Sequence, residues 1–155
     1  MLLIPNAFYI YVVYDLHRFF VATVAGNPGV RHVYSVIDME ADPERRRQQV
    51  CLSCDLGSGC QFNDAKFSPD GKYMIMECLG PGIPRTELRF ANNTLIQVLN
   101  TNPKLEEWID KKLLPRVKDM EVPLPGGSFA RVQLLLPDSL SESETSHHYP
   151  LVIEL

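Results

Sequence analysis

The four cysteines are the residues best suited to chemistry in this chain, and all of them fall in one stretch, as Cys51, Cys54, Cys60 and Cys78. Three kinds of chemistry compete for them. A structural zinc site wants two close pairs of ligands, or one pair followed by histidines at ligand spacing, and only Cys51 and Cys54 form a CxxC pair. A thioredoxin-type redox CxxC sits at the end of a strand and opens a helix, whereas Cys54 leads into a polar, glycine-containing run from Asp55 to Gly59. The third reading is structural: Cys51 bridged to Cys54 in a tight turn and Cys60 to Cys78 across a hairpin, in a chain that folds in an oxidising compartment. Four cysteines allow three pairings, and spacing alone leaves the choice open.

Other side chains with chemical potential are scattered. His147 and His148 have no acid or cysteine at recognisable ligand or catalytic spacing, so they read as an exposed polar loop. The basic run Arg45 to Arg47 follows acidic residues in a polar connection and reads as solvated. Asn92, Asn93 and Thr94 form a glycosylation sequon in a turn, where an acceptor belongs, and with the cysteines it points to an extracytoplasmic chain.

The elements that must position these residues are mostly short strands. Ser68, Pro69, Asp70 and Gly71 suit the four positions of a type I turn, with proline fixing φ second and glycine accepting a positive φ at the end. That turn joins β-prone runs at Ala65 to Phe67 and Tyr73 to Cys78. Two more strands are predicted at about Tyr9 to Tyr14 and Phe19 to Val24, joined by a polar turn at Asp15 to Arg18. A further pair flanks the turn formed by Ala91 to Asn93. One helix is expected, with Asn102 as cap, Pro103 first, Glu106 and Glu107 complementing the dipole, and Pro115 as its stop. Leu105, Trp108, Ile109 and Leu113 fall on one face, which predicts a packed stripe and a buried Trp108. The remainder predicts two strands around a turn at Pro125 to Gly127 and a final strand at Leu151 to Leu155.

The 155 residues suffice for an ordinary domain, and 45% hydrophobic with 22% charged residues is the composition of a chain that folds rather than stays disordered. A net charge of −4 argues against nucleic acid as partner, since phosphate recognition wants a basic surface. The apolar start is neither signal peptide nor anchor: it lacks a basic n-region, Pro5 interrupts it, and Asp15, His17 and Arg18 break it before the roughly 20 residues that a spanning helix needs.

The succession from Cys51 and Cys54 through Cys60 and the FSPDGKY turn to Cys78 and LGPGIP resembles the last propeller blade of the dipeptidyl peptidase IV family, of the prolyl oligopeptidase superfamily of serine peptidases. Gly26 to Val36 resembles the preceding blade. MEVPLPGGSFARVQLLLPDSL and HHYPLVIEL resemble the opening strands of the family's α/β-hydrolase domain. The resemblance implies a mainly β fold: residues 1–100 as C-terminal blades of a β-propeller, 101–117 as a connecting helix, and 118–155 as a truncated start of the hydrolase domain. It implies a parent that removes dipeptides from peptide N-termini by Ser, His, Asp acyl transfer. It also implies peptide substrates and a homodimer for the parent, and a place outside the cell, secreted or on a single-pass type II anchor lying upstream.

None of the family's catalytic or substrate-binding residues maps onto this sequence. No GxSxG elbow occurs, and Gly57, Ser58, Gly59 is not that spacing. No metal site and no cofactor are expected; the expected site residues are Cys51, Cys54, Cys60 and Cys78 as disulfides and Asn92 as glycan acceptor. A catalytically inactive family member acting as a binding subunit is the competing reading of the parent. The chain on its own is expected to be poorly stable, because a propeller cut across its blades leaves strand edges unpaired.

Overall fold

The computed structural model describes residues 7–14, 17–37, 49–140 and 150–154, with backbone alone for 7–14. Arg45 to Arg47, His147 and His148 lie outside them. The chain divides into two compact units between Glu106 and Glu107.

The first unit holds two antiparallel four-stranded sheets. One is ordered β1 (Ala7–Tyr14), β2 (His17–Val24), β3 (Asn27–Ile37) and β4 (Gln49–Cys51); the other β5 (Asn63–Phe67), β6 (Tyr73–Cys78), β7 (Arg85–Phe90) and β8 (Leu95–Asn100). Four sequential antiparallel strands per sheet is the pattern of a propeller blade. Strand alternation explains the core. On β2 and β3 one face supplies Phe19, Val21 and Val33, and these meet Ala65, Met74 and Met76 from the second sheet and Leu52 from the connection, all nearly or fully buried. Phe19 and Phe67 pack at a tilt across this junction with ring centroids 4.5 Å apart.

The turn between β5 and β6 forms as its residues dictate. Gly71 N–H donates to Ser68 O at 2.9 Å, Gly71 has φ 66°, and Tyr73 N–H donates to Ser68 Oγ at 3.0 Å. The Ser68 hydroxyl donates to Asp70, and this bond, with that from the Lys72 amide, holds the Asp70 carboxyl below its ordinary pKa. The pairing of β1 with β2 differs in detail from expectation: His17 and Arg18 belong to the strand, opposite Tyr14 and Val13, because the β2 ladder to β3 extends to His17–Ile37. Of the predicted turn, residues 15 and 16 lie outside the described residues.

The helix α1 (Pro103–Ile109) is shorter than predicted and ends well before Pro115. Lys112 N–H bonds back to Ile109 O, closing a last turn, and Leu113 beyond it is 90% exposed. The Asn102 side chain is not its cap: it donates to Pro84 O and accepts from Asn100, and only its backbone carbonyl receives the Leu105 and Glu106 amides. Trp108 is 57% exposed with the Lys112 ammonium 4.9 Å from its ring centre, so the expected burial of this residue does not occur. Two helical turns carry too short a stripe to bury it, since Leu113, its fourth member, falls outside the helix.

The second unit contains β9 (Arg116–Pro123) and β10 (Phe129–Leu136), a hairpin in full register from Phe129 opposite Pro123 to Leu136 opposite Arg116. Gly126 and Gly127 take positive φ at its turn, as their placement predicted. The strand expected at Leu151 to Leu155 does not form over 150–154, where Leu151, Val152 and Ile153 are 71–89% exposed. A strand exists only with a neighbour to share its ladder, and among the described residues the sheet of this unit has two members, β9 and β10.

Candidate functional site

The chemically dense part of the molecule is the junction between the two sheets, where β3, the segment after β4 and the start of β5 converge. Cys51 lies opposite Tyr34 at the end of β4, and Leu52 N–H donates to Val33 O at 2.8 Å, which continues the ladder beyond the strand. Disulfides join Cys51 to Cys54, with Cα atoms 5.7 Å apart, and Cys60 to Cys78, 5.2 Å apart. The first closes a loop around Leu52 and Ser53, both of which turn inward. The second ties the segment entering β5 to the end of β6, beside the contact where Gly82 N–H donates to Gly59 O at 2.8 Å.

That contact explains the glycines of LGPGIP. A Cβ on Gly82 would lie 3.0 Å from both the Cα and the carbonyl oxygen of Gly59, so the two backbones approach too closely for a side chain. Gly80, at φ 135°, offers its carbonyl to the amides of Gln61 and Phe62 at 2.8 and 2.9 Å.

Inside this frame sits a polar cluster. His32 Nδ1 lies 2.9 Å from Ser53 Oγ and 3.1 Å from Asn63 Nδ2, and Ser53 Oγ also accepts the Val33 N–H at 3.0 Å. Asn63 Nδ2 donates further to Cys60 O and Arg31 O. Burial lowers the His32 pKa, which favours the neutral imidazole, and its Nδ1 faces both the Ser53 hydroxyl and the Asn63 amide nitrogen. Beside it, Arg31 spans the sheets: its Nε donates to Asn63 O at 3.1 Å, its Nη2 pairs with Asp64 at 3.3 Å, and its guanidinium lies 3.9 Å from the Phe62 ring centre.

A serine, a histidine and an asparagine in contact invite a nucleophilic reading, and the geometry argues against it. In a catalytic triad the nucleophile and the orienting group bond to different ring nitrogens, whereas Ser53 and Asn63 share Nδ1. Ser53 and Asn63 are also fully buried, out of reach of any substrate. The arrangement is a latch between sheets. A metal reading meets a similar obstacle: His32, Cys51 and Cys54 have ligand atoms within 4.8 Å of one another, yet the two sulfurs are bonded to each other and offer no thiolate. An apolar recess of about 230 Å³ is lined by Phe67, Met74, Ile75 and Leu88, with Ser68 at its rim already bonded to Asp70.

On β7, Glu87 is 3% exposed and accepts from Arg89 Nε at 2.8 Å and Nη2 at 2.7 Å, and from Arg85 at 2.6 Å. Arg89 reaches on to Asn93 Oδ1 at 2.8 Å, in the turn that carries the exposed Asn92. The sequence gives no sign of the Arg31, His32, Ser53, Asn63 cluster and little of the Glu87, Arg89 pair. One signal was there: polar residues at 85, 87 and 89 alternate along a strand that the flanking blade pattern places inside.

Comparison with known proteins fits this architecture. The family model for the dipeptidyl peptidase IV N-terminal region matches residues 12–85. The chain is 31% identical to dipeptidyl peptidase 4 of Bos taurus over 132 residues, 84% of this chain and 16% of that protein. It is 30% identical to dipeptidyl peptidase 4 of Sus scrofa over 149 residues, 95% of this chain and 17% of that protein. It is 29% identical to venom dipeptidyl peptidase 4 of Vespula vulgaris over 141 residues, 88% of this chain and 17% of that protein. The chain thus spans about a sixth of the length of the curated relatives it matches. With blade-like sheets, a disulfide-bounded junction and this similarity along nearly all its length, the chain belongs to the dipeptidyl peptidase IV family.

Proposed function

We propose that these residues are a non-catalytic scaffold portion of a serine-type dipeptidyl peptidase, which removes dipeptides from peptide N-termini. The observation that carries this reading is the similarity to dipeptidyl peptidases along 84–95% of the chain, together with a junction built to hold sheets and not to bind substrate. Residues 1–100 are blades of the propeller, 101–117 the crossing, and 118–155 the first strands of the α/β-hydrolase domain. The alignment with the porcine relative supports this last assignment, since 149 residues extend well past the region matched by the N-terminal family model.

Peptides are the substrates of the parent, which works outside the cell or on its surface and can pair as a homodimer. Two disulfides support an oxidising location, as does a relative named for venom. Among the described residues no helix is long and apolar enough to cross a membrane. The nucleophile, base and oxyanion donors belong to other parts of the parent. Purified chain therefore leaves a glycyl-prolyl chromogenic substrate uncleaved, and turnover that survives repurification would refute the reading. Adjoining coding sequence is expected to contain GxSxG. A residue other than serine at that elbow would make the parent a binding subunit instead.

A further inference from the structure

The turn between β7 and β8 holds two adjacent asparagines that the structure uses in opposite ways. Asn93 takes a positive φ of 73° and its Oδ1 accepts from Arg89, itself locked by buried Glu87. Asn92 is exposed, and its Oδ1 accepts the Thr94 N–H at 3.0 Å, which leaves Nδ2 on the other side of the planar amide. The turn is closed behind it by Asn93 N–H to Phe90 O and Phe90 N–H to Thr94 O, both at 2.9 Å. Thr94 is also exposed. The sequon's reacting side chain therefore stands clear of the sheet while its middle residue anchors the turn.

We propose that Asn92 carries an N-linked glycan, an inference that rests on the extracytoplasmic placement proposed above. The donor class is a lipid-linked oligosaccharide pyrophosphate. Asn92 Nδ2 attacks the anomeric carbon, the N–C bond forms, the C–O bond to the pyrophosphate breaks with its electron pair leaving on the pyrophosphate, and the Nδ2 proton passes to a base of the transferase. A glycan attached there projects from the turn without displacing any buried group.

The full chain, placed behind a cleavable signal and translated with endoplasmic-reticulum microsomes, tests this without relying on the chain's natural address. Protease protection and the change in mobility on reduction report entry and disulfide formation separately from glycosylation. The protected product is expected to shift in mobility on treatment with peptide N-glycosidase, which converts glycosylated Asn92 to Asp, a change read by mass spectrometry. Asn92→Gln and Thr94→Ala abolish the shift, and Thr94→Ser retains it. A protected wild-type chain that the glycosidase leaves unchanged would overturn the proposal and leave the compartment assignment standing. So would a shift that persists in Asn92→Gln.

Discussion

His32 shows how a single buried group ties stability to pH. Its pKa is lowered by burial from the ordinary value of 6.5, so the unfolded chain takes up a proton before the folded one does. The stability this gives is complete above pH 6.5 and is lost as pH falls below it towards the folded-state pKa. Protonation makes both ring nitrogens donors, and the Asn63 amide nitrogen 3.1 Å from Nδ1 cannot accept. The denaturation midpoint is expected to fall on mild acidification, and His32→Gln to flatten that slope; an unchanged slope in the variant would place the proton uptake elsewhere. At Gly82 the constraint is steric. Gly82→Ala sets a methyl group 3.0 Å from the Gly59 backbone, which no rotamer change relieves, and a loss of about 1–3 kcal/mol is expected in denaturant titration. A variant as stable as wild type would show that this loop can give way.

Within the elements, buried charge and covalent closure do separate work. Glu87 and Arg89 pair along one strand, 3% and 7% exposed, with the half-buried Arg85 as a second cation on the same carboxylate. Glu87→Leu leaves Arg89 buried without its carboxylate and is expected to cost about 3–5 kcal/mol, and Arg89→Met alone is the other single variant. Glu87→Leu with Arg89→Met removes both charges and should recover most of that loss. Additive losses in this double-mutant cycle would argue against the pairing. The disulfides differ in the loops they close, with sequence separations of 3 for Cys51–Cys54 and 18 for Cys60–Cys78. In the chain-entropy picture the longer loop contributes about 3 kcal/mol and the shorter about 2 kcal/mol. Replacing Cys60 and Cys78 with Ala should therefore lower the urea midpoint further than replacing Cys51 and Cys54; the reverse order would show that local geometry outweighs loop size.

At the scale of the whole molecule, apolar surface is left open. On the edge strand β8, Leu95, Ile96, Val98 and Leu99 are each 40–49% exposed, and on the β9–β10 hairpin Val117, Phe129 and Leu135 are about 60% exposed. An isolated two-stranded hairpin is at best marginally stable in water, and an open edge strand is a template for pairing. The purified chain is accordingly expected to associate in a concentration-dependent way, seen by light scattering. A monomeric chain with one cooperative melt would count against this. The two sheets of the first unit, joined by a buried core and by Arg31, are expected to protect their amides from exchange far longer than β9 and β10 do.

Sequence by itself determined the local pieces: the FSPDG turn, the Ala91 to Asn93 turn and the hairpin at Gly126 and Gly127 are written in residues with fixed or permissive φ, and each forms where those residues stand. The clustered cysteines marked the blade end, and their succession with LGPGIP led to the family. Tertiary structure decided what depends on a partner. Leu151 to Ile153 have strand chemistry and no ladder to join, and Trp108 sits on an apolar stripe too short to bury it. His32, Ser53 and Asn63 come together across 31 residues of chain, and the close approach of Gly59 to Gly82 requires a fold-level contact. Short-range torsional preferences are properties of a few adjacent residues, whereas burial and polar pairing are properties of whatever the fold brings alongside.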